Sequence, residues 1–138
     1  MQISASLKNK KNGNYVILKT DNHTHSIKIP PKKSGYGSNV NGGELLFLAL
    51  AACYCNDLYR EAGKQGIIVE SVEVEVKGDF DSESRPASNI IYSAVVKANA
   101  KRDKIIELMN LTDKVTEIQN TLRTGVPVTL ASAEAISV

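Results

Sequence analysis

The side chains whose types suit covalent chemistry are the two thiols, Cys53 and Cys55. A thiolate is a nucleophile toward peroxides, and its first oxidation product is a sulfenic acid that a second thiol can reduce. Cys53 and Cys55 lie in the stretch N-G-G-E-L-L-F-L-A-L-A-A-C-Y-C-N-D-L-Y, from Asn41 to Tyr59. On a helix, residues two apart point about 200° from each other, so this pair cannot form a disulfide without unwinding. Two cysteines do not make a disulfide framework, and both are expected to be reduced. The competing role for a helical cysteine is that of a small packing residue.

Other chemistry is poorly supported. His23 and His25 would point the same way from a strand and could share a metal, but no third ligand stands nearby in sequence, so they read as a solvated turn. Glu73 and Glu75 fall on the water-facing side of an alternating strand. Gly42-Gly43 opens a helix without the strand-turn pattern that cradles phosphate, and there is no nucleophile elbow. No metal and no cofactor are therefore expected.

The thiols must be positioned by the stretch that carries them. Asn41 and Glu44 have the spacing of a capping box, in which each side chain meets the other's backbone N–H. Leu45 to Cys55 contains no charge, and a helix apolar all round is expected to be buried all round. It is too short to span a bilayer, which needs roughly 20 apolar residues. Polar residues return at Asn56, Asp57, Arg60, Glu61 and Lys64, and Gly63 or Gly66 can end the helix. Tyr54 and Tyr59 read as core or interface residues.

Around this helix the pattern predicts strands over Gln2–Lys8, Tyr15–Thr20 and His25–Ile29, with turns at Asn12-Gly13 and Asp21-Asn22. A loop rich in Pro, Gly and Ser, Pro30 to Val40, leads into the helix. Beyond it, Ile67–Lys77 alternates with Val72, Val74 and Val76 facing in, and Asn89–Ala100 alternates with Ile90, Tyr92, Ala94 and Val96 on one face. Asp103 is the expected N-cap of a further helix, which Thr112-Asp113 could divide in two and Gly125 stops; Val126–Leu130 is expected to form a last strand. The order βββ-α-ββ-α-β defines an α+β fold, antiparallel sheets packed around a long central buried helix.

A chain of 138 residues fits a single domain, residues 1–138. Its net charge of +2 comes from intermixed signs, and aromatic residues are few, so neither a nucleic-acid footprint nor a stacking platform is present. The Met1 end is polar and lacks a signal pattern. The expectation is a cytoplasmic protein with reduced thiols and no membrane partner.

Two segments together carry a family resemblance. G-G-E-L-L-F-L-A-L-A-A-C-Y, followed by K-Q-G-I-x-V-x-S-V-x-V-x-V, resembles the OsmC/Ohr family of osmotically induced and organic-hydroperoxide-resistance proteins. The order of elements agrees over nearly the whole chain, including N-T-L-R-x-G-V-P-V at Asn120–Val128. The resemblance implies an OsmC-like fold assembled as an intertwined homodimer, with active sites at the dimer interface. A partner subunit would then cover what one chain cannot. It also implies that Cys53, in A-A-C-Y, is the thiol that attacks an organic hydroperoxide.

Three positions depart from the family's reductases. Their second cysteine, in C-P-x-S, corresponds to Thr116 of Thr116-Glu117-Ile118-Gln119, so an external thiol must reduce the oxidised Cys53. Their N-terminal arginine has no counterpart, because no arginine precedes Arg60; Lys8, Lys10, Lys11, Lys19 and Lys28 are the cations there. Their carboxylate falls on Gly43, with Glu44 one position on. Nine residues of helix turn through about 900°, placing Glu44 opposite Cys53 in its own subunit. Glu44 therefore suits the cap, and could approach a catalytic thiol only across the dimer interface.

Two functions follow as expectations. One is a thiol-dependent organic hydroperoxide reductase of oxidative-stress defence, with Cys53 and Glu44 as its catalytic candidates and an external thiol or lipoyl-type dithiol as reductant. The other is a catalytically degenerate protein that binds a small hydrophobic or electrophilic ligand at the dimer interface.

Overall fold

The computed structural model describes residues 1–138. The chain forms two compact units, Met1–Leu46 and Phe47–Val138. In the first, β1 (Ile3–Lys10), β2 (Gly13–Thr20) and β3 (His23–His25) make an antiparallel meander in the order β1-β2-β3. The hairpin closes through Lys11 and Asn12 between the paired residues Lys10 and Gly13, and Asn12 takes the left-handed conformation that asparagine tolerates. The Asn12 N–H then donates to the Gly35 carbonyl at 2.6 Å, and Asn14 Nδ2 donates to the carbonyls of Ile29 and Gly37, so polar side chains fasten the following loop.

That loop corrects one expectation. The third strand is His23–His25, not His25–Ile29, because the chain leaves β2 after the Leu18–His25 pair and Asn14 takes the Ile29 carbonyl. Asp21-Asn22 forms the expected turn between Thr20 and His23.

Helix α1 (Gly42–Lys64) begins at the capping box and continues through the second unit. The Glu44 N–H donates to Asn41 Oδ1 at 2.8 Å, and the Asn41 N–H donates to Glu44 Oε1 at 3.1 Å. The helix ends in a Schellman motif: Ile67 N–H meets the Ala62 carbonyl at 3.0 Å and Gly66 N–H meets the Gly63 carbonyl at 3.3 Å. Gly66 has φ +67°, which an L side chain rarely adopts, so Gly66 rather than Gly63 is the stop.

In the second unit, β4 (Val69–Asp79) pairs antiparallel with β5 (Ser88–Ala98), and α2 (Arg102–Val115) and α3 (Glu117–Thr124) follow. Tyr54, Leu58 and Ala62 of α1 and Leu108 of α2 are the buried centre, and Val72, Val74, Tyr92, Ala94, Val96 and Met109 pack against them. The Tyr54 ring meets the edge of Tyr92 at 5.2 Å between centroids, and its hydroxyl donates to the Met109 carbonyl at 3.0 Å. Phe47 covers Gly78, where a Cβ would stand 2.7 Å from the Phe47 ring.

Four further expectations change. α2 starts after Lys101, with no side-chain cap, so Asp103 sits inside the first turn. The division of this region falls at Thr116 rather than at Thr112-Asp113, because Thr112 is buried within α2 and its Oγ1 bonds back to the Leu108 carbonyl. Residues 126–130 form no strand: β4 and β5 pair only with each other, and Val128 is 99 % exposed. α1 is also not buried on all sides within one chain, since Leu48 is 63 % exposed and Ala49 and Ala52 are exposed. No helix is long and apolar enough to cross a membrane.

Leu58 is fully buried, so Leu58→Ala removes the transfer energy of its side chain and leaves a cavity. It should lower the free energy of urea unfolding by about 2–5 kcal/mol, a cost typical of such truncations in a packed core.

Candidate functional site

Along α1, Leu50, Tyr54, Leu58 and Ala62 recur every four residues and are buried. Cys53, Asp57 and Glu61 repeat the same step one position earlier, so a thiol and two carboxylates run along the edge of the apolar stripe. Cys53 is half-buried, while Asp57 and Glu61 are each 6 % exposed.

The other side of the site is built by the break between α2 and α3. Thr116 is fully buried in an extended conformation, φ −68° and ψ 116°. Its N–H still bonds the Thr112 carbonyl at 3.1 Å, and its own carbonyl accepts the Asn120 N–H at 3.0 Å. One residue therefore closes α2 and opens α3. Glu117 and Ile118, at the start of α3, are brought to the Cys53 thiol.

The contacts there are shared out between the oxygens. Cys53 Sγ donates to Asp57 Oδ2 at 3.5 Å and lies 3.8 Å from Glu117 Oε2. Arg60 Nη1 holds the other oxygen of each carboxylate, Asp57 Oδ1 at 3.0 Å and Glu117 Oε1 at 3.3 Å. Arg60 Nε meets Glu61 Oε1 at 3.3 Å, and Lys64 Nζ meets the same oxygen at 3.0 Å.

Protonation follows from these contacts. Burial is the largest influence on the Cys53 thiol and raises its pKa; the Ile118 N–H pulls it down, and the charges of Asp57 and Glu117 push it up again, leaving the net direction upward. Asp57 is also raised, first by burial and then by its hydrogen bond with Glu117. Glu117 is lowered, first by its own backbone N–H at the helix start and then by Asp57.

The donor atoms of Cys53, Asp57 and Glu117 lie within 4.8 Å of one another. A tetrahedral divalent ion with one thiolate and two carboxylates would set sulfur–oxygen separations of about 3.5 Å, so these are the residues that could hold one. Arg60 already binds an oxygen of both carboxylates, and the arrangement is complete as a thiol–carboxylate–guanidinium network.

Beside it, Leu50, Ile90, Tyr92, Gln119, Leu122 and Arg123 line a cavity of about 240 Å³. Gln119 Nε2 donates to the Leu50 carbonyl at 2.9 Å, while its Oε1 is buried without a partner. Arg123 is engaged by Asp113 at 2.7 Å.

Of the two residues singled out from sequence, Cys53 is at the centre of this network and Glu44 is occupied in the α1 cap. The carboxylates that meet the thiol are Asp57 and Glu117. Asp57 and Arg60 carried a readable signal, since they lie four and seven residues after Cys53 on one face of the helix. Glu117 comes from 64 residues away, in the segment that aligns with the family's second cysteine. Cys55 is half-buried and lies one position beyond the buried Tyr54.

Comparison with known proteins bears on this arrangement. The model of the family described as OsmC-like protein matches residues 35–131. No curated protein matches the chain. The fold is shared with solved structures at low identity. An OsmC-like protein from Mycoplasma pneumoniae is 17 % identical with a TM-score of 0.62, covering 91 % of each chain. OhrB, the organic hydroperoxide resistance protein of Bacillus subtilis, is 17 % identical with a TM-score of 0.58, covering 91 % of this chain and 93 % of its own. An organic hydroperoxide resistance protein from Legionella pneumophila is 18 % identical with a TM-score of 0.55, covering 89 % and 90 %.

The electrostatics make a direct prediction. In a Cys55→Ser background, the pH–rate profile of iodoacetamide alkylation should place the Cys53 midpoint above that of a free thiol. Glu117→Gln removes one of the charges that raise it, so the midpoint should fall and alkylation at neutral pH should speed up.

Proposed function

The chain belongs to the OsmC family, and we propose that it is a thiol-dependent reductase of organic hydroperoxides in which Cys53 is the nucleophile. The observation that carries this reading is the half-buried Cys53 thiol, held between Asp57 of α1 and Glu117 at the start of α3, with an apolar cavity one helical turn away at Leu50. In the reaction, Cys53 Sγ attacks the terminal oxygen of R–O–O–H. The S–O bond forms, the O–O bond breaks, the alcohol leaves, and Cys53 becomes a sulfenic acid. The apolar walls at Leu50, Ile90 and Leu122 suit an organic body better than hydrogen peroxide.

Thr116 stands where a second cysteine would be needed for an internal disulfide. The sulfenic acid therefore condenses with an external thiol, releasing water, and a second thiol frees Cys53 as a disulfide departs. A dithiol of the lipoyl type, or a small thiol, fits this role. The working unit in this reading is a cytoplasmic homodimer. The exposure of Leu48, Ala49 and Ala52 supports it, because these residues leave an apolar face for a second subunit. In such a dimer Glu44 approaches the partner's thiol while capping α1 in its own chain.

A second reading is favoured by one pair of observations. The thiol holds its proton more tightly than an ordinary cysteine, and the neighbouring cavity contains Gln119, whose buried Oε1 lacks a donor. A binding protein for a small apolar molecule bearing one hydrogen-bond donor would use both without turnover.

Intact-mass analysis of the reduced protein, with a sulfenic-acid trap and one equivalent of an organic hydroperoxide, separates the two readings. The reductase should give a trapped adduct that persists in Cys55→Ser and vanishes in Cys53→Ser. The adduct should form faster with an organic hydroperoxide than with hydrogen peroxide. A rate no greater than that of free cysteine would leave the binding protein as the better description.

A further inference from the structure

We propose that Asp57 carries the proton of the peroxide reaction, taking it from the Cys53 thiol and delivering it to the departing alkoxide, and that Arg60 is the positioning residue that aims Asp57 and Glu117 at the sulfur. The inference rests on Cys53 being the peroxide-reducing thiol, and it names machinery for that step that is built from α1 and α3.

The division of oxygens carries it. Arg60 Nη1 takes Asp57 Oδ1 and Glu117 Oε1, and the remaining oxygens, Asp57 Oδ2 and Glu117 Oε2, face Cys53 Sγ at 3.5 and 3.8 Å. One guanidinium nitrogen thus fixes two carboxylates with their free oxygens on a single thiol, while Nε of the same plane is held by Glu61, a two-nitrogen anchoring that a lysine cannot reproduce. Arg60 is itself fastened through Nε to Glu61 Oε1, which Lys64 also holds. The charged groups facing the thiol are therefore Asp57 and Arg60, backed by Glu61 and Lys64, from α1, and Glu117 from α3.

Two carboxylates beside a sulfur disfavour a stored thiolate, so this site cannot work by lowering the thiol pKa in advance. It can work by moving the proton during attack. As Sγ bonds the terminal peroxide oxygen, the thiol proton passes to Asp57 Oδ2. As the O–O bond breaks, that proton passes to the alkoxide, giving Cys53–S–O–H and R–O–H. The thiol supplies the electron pair, the peroxide is reduced, and Asp57 ends as it began. Burial and the hydrogen bond with Glu117 raise the affinity of Asp57 for a proton, which suits a group that must both accept and return one.

The test uses two reactions of the same thiol, each measured against pH on the full chain in a Cys55→Ser background. Alkylation by iodoacetamide needs only thiolate, because iodide leaves without a proton. Sulfenic-acid formation from an organic hydroperoxide needs a proton for the alkoxide as well. Asp57→Asn should therefore speed alkylation at neutral pH while slowing sulfenic-acid formation by about 10²-fold, the low end of general acid–base contributions. Glu117→Gln alters an exposed side chain and so spares the fold. It should speed alkylation and slow the peroxide reaction by a smaller factor. Arg60→Lys keeps the charge but should slow the peroxide reaction, because a single ammonium cannot be held by Glu61 and aim Asp57 and Glu117 at once.

A shift of both reactions in the same direction in Asp57→Asn and Glu117→Gln would mean that the carboxylates only tune the thiol, and would overturn the inference while leaving Cys53 as the nucleophile. A parent protein that reacts no faster than free cysteine would overturn the peroxidase reading and this inference with it. The outcomes are distinguishable because alkylation is read independently of peroxide.

Discussion

The rest of the second unit depends on one contact line, the four-residue step along α1 that buries Leu50, Tyr54, Leu58 and Ala62. The line is long enough to meet Leu108 and Met109 of α2 and the inward side chains of β4 and β5. Because a helix has 3.6 residues per turn, the positions just before each buried residue must run along the border of the packed face. Those positions hold Cys53, Asp57 and Glu61. The thiol is therefore half-covered and the two carboxylates buried along this border. The Schellman stop at Gly66 belongs to the same constraint, since it returns the chain through Ile67 into β4 and places Val72 and Val74 against the line.

A second constraint acts at Thr116. Its buried, extended conformation ends α2 and begins α3 within one residue, so the orphan N–H groups of the α3 start face the Cys53 side. The site is then a balance of opposing fields. Helix-start amides favour negative charge, two carboxylates oppose a third anion, and one guanidinium serves both carboxylates. The result keeps the proton on sulfur, with Asp57 as the nearest group able to take it.

Much of this was legible in the sequence, for identifiable reasons. The capping pair Asn41 and Glu44, the charge-free run to Cys55 and the glycine at 66 marked α1, because caps and stops are local chemistry. The alternation of valine and glutamate marked β4. Local signals fail where the outcome depends on pairing or on where the backbone turns. Val126–Leu130 has strand composition, yet a strand exists only where it pairs, and this segment pairs with neither β4 nor β5. Asp103 has a capping side chain, but the backbone turns one residue before Arg102 and leaves it inside the helix. At the site, Cys53 and its helical neighbours Asp57 and Arg60 could be read from spacing. Glu117 could not, because its approach depends on the Thr116 break. The N-terminal strands hold no arginine, and the guanidinium in the thiol's own network is Arg60 of α1.

The presence of Thr116 where the family's second cysteine would stand gives the carboxylates a consequence beyond the attack itself. In the proposed cycle the sulfenic acid has no internal thiol to trap it and must last until an external one arrives. Further oxidation by peroxide proceeds through the ionised sulfenate, which is the better nucleophile. Asp57 and Glu117 stand where that anion would form, and the same repulsion that keeps the proton on the thiol keeps it on the sulfenic acid. Condensation with an incoming thiolate, by contrast, needs the sulfenic acid protonated, because its oxygen leaves as hydroxide, which takes a further proton to become water. An environment poor at storing thiolate is therefore well matched to a one-cysteine cycle: it slows the irreversible branch and favours the reductive one. A site built to lower the thiol pKa would gain speed in the first step and lose this protection in the second.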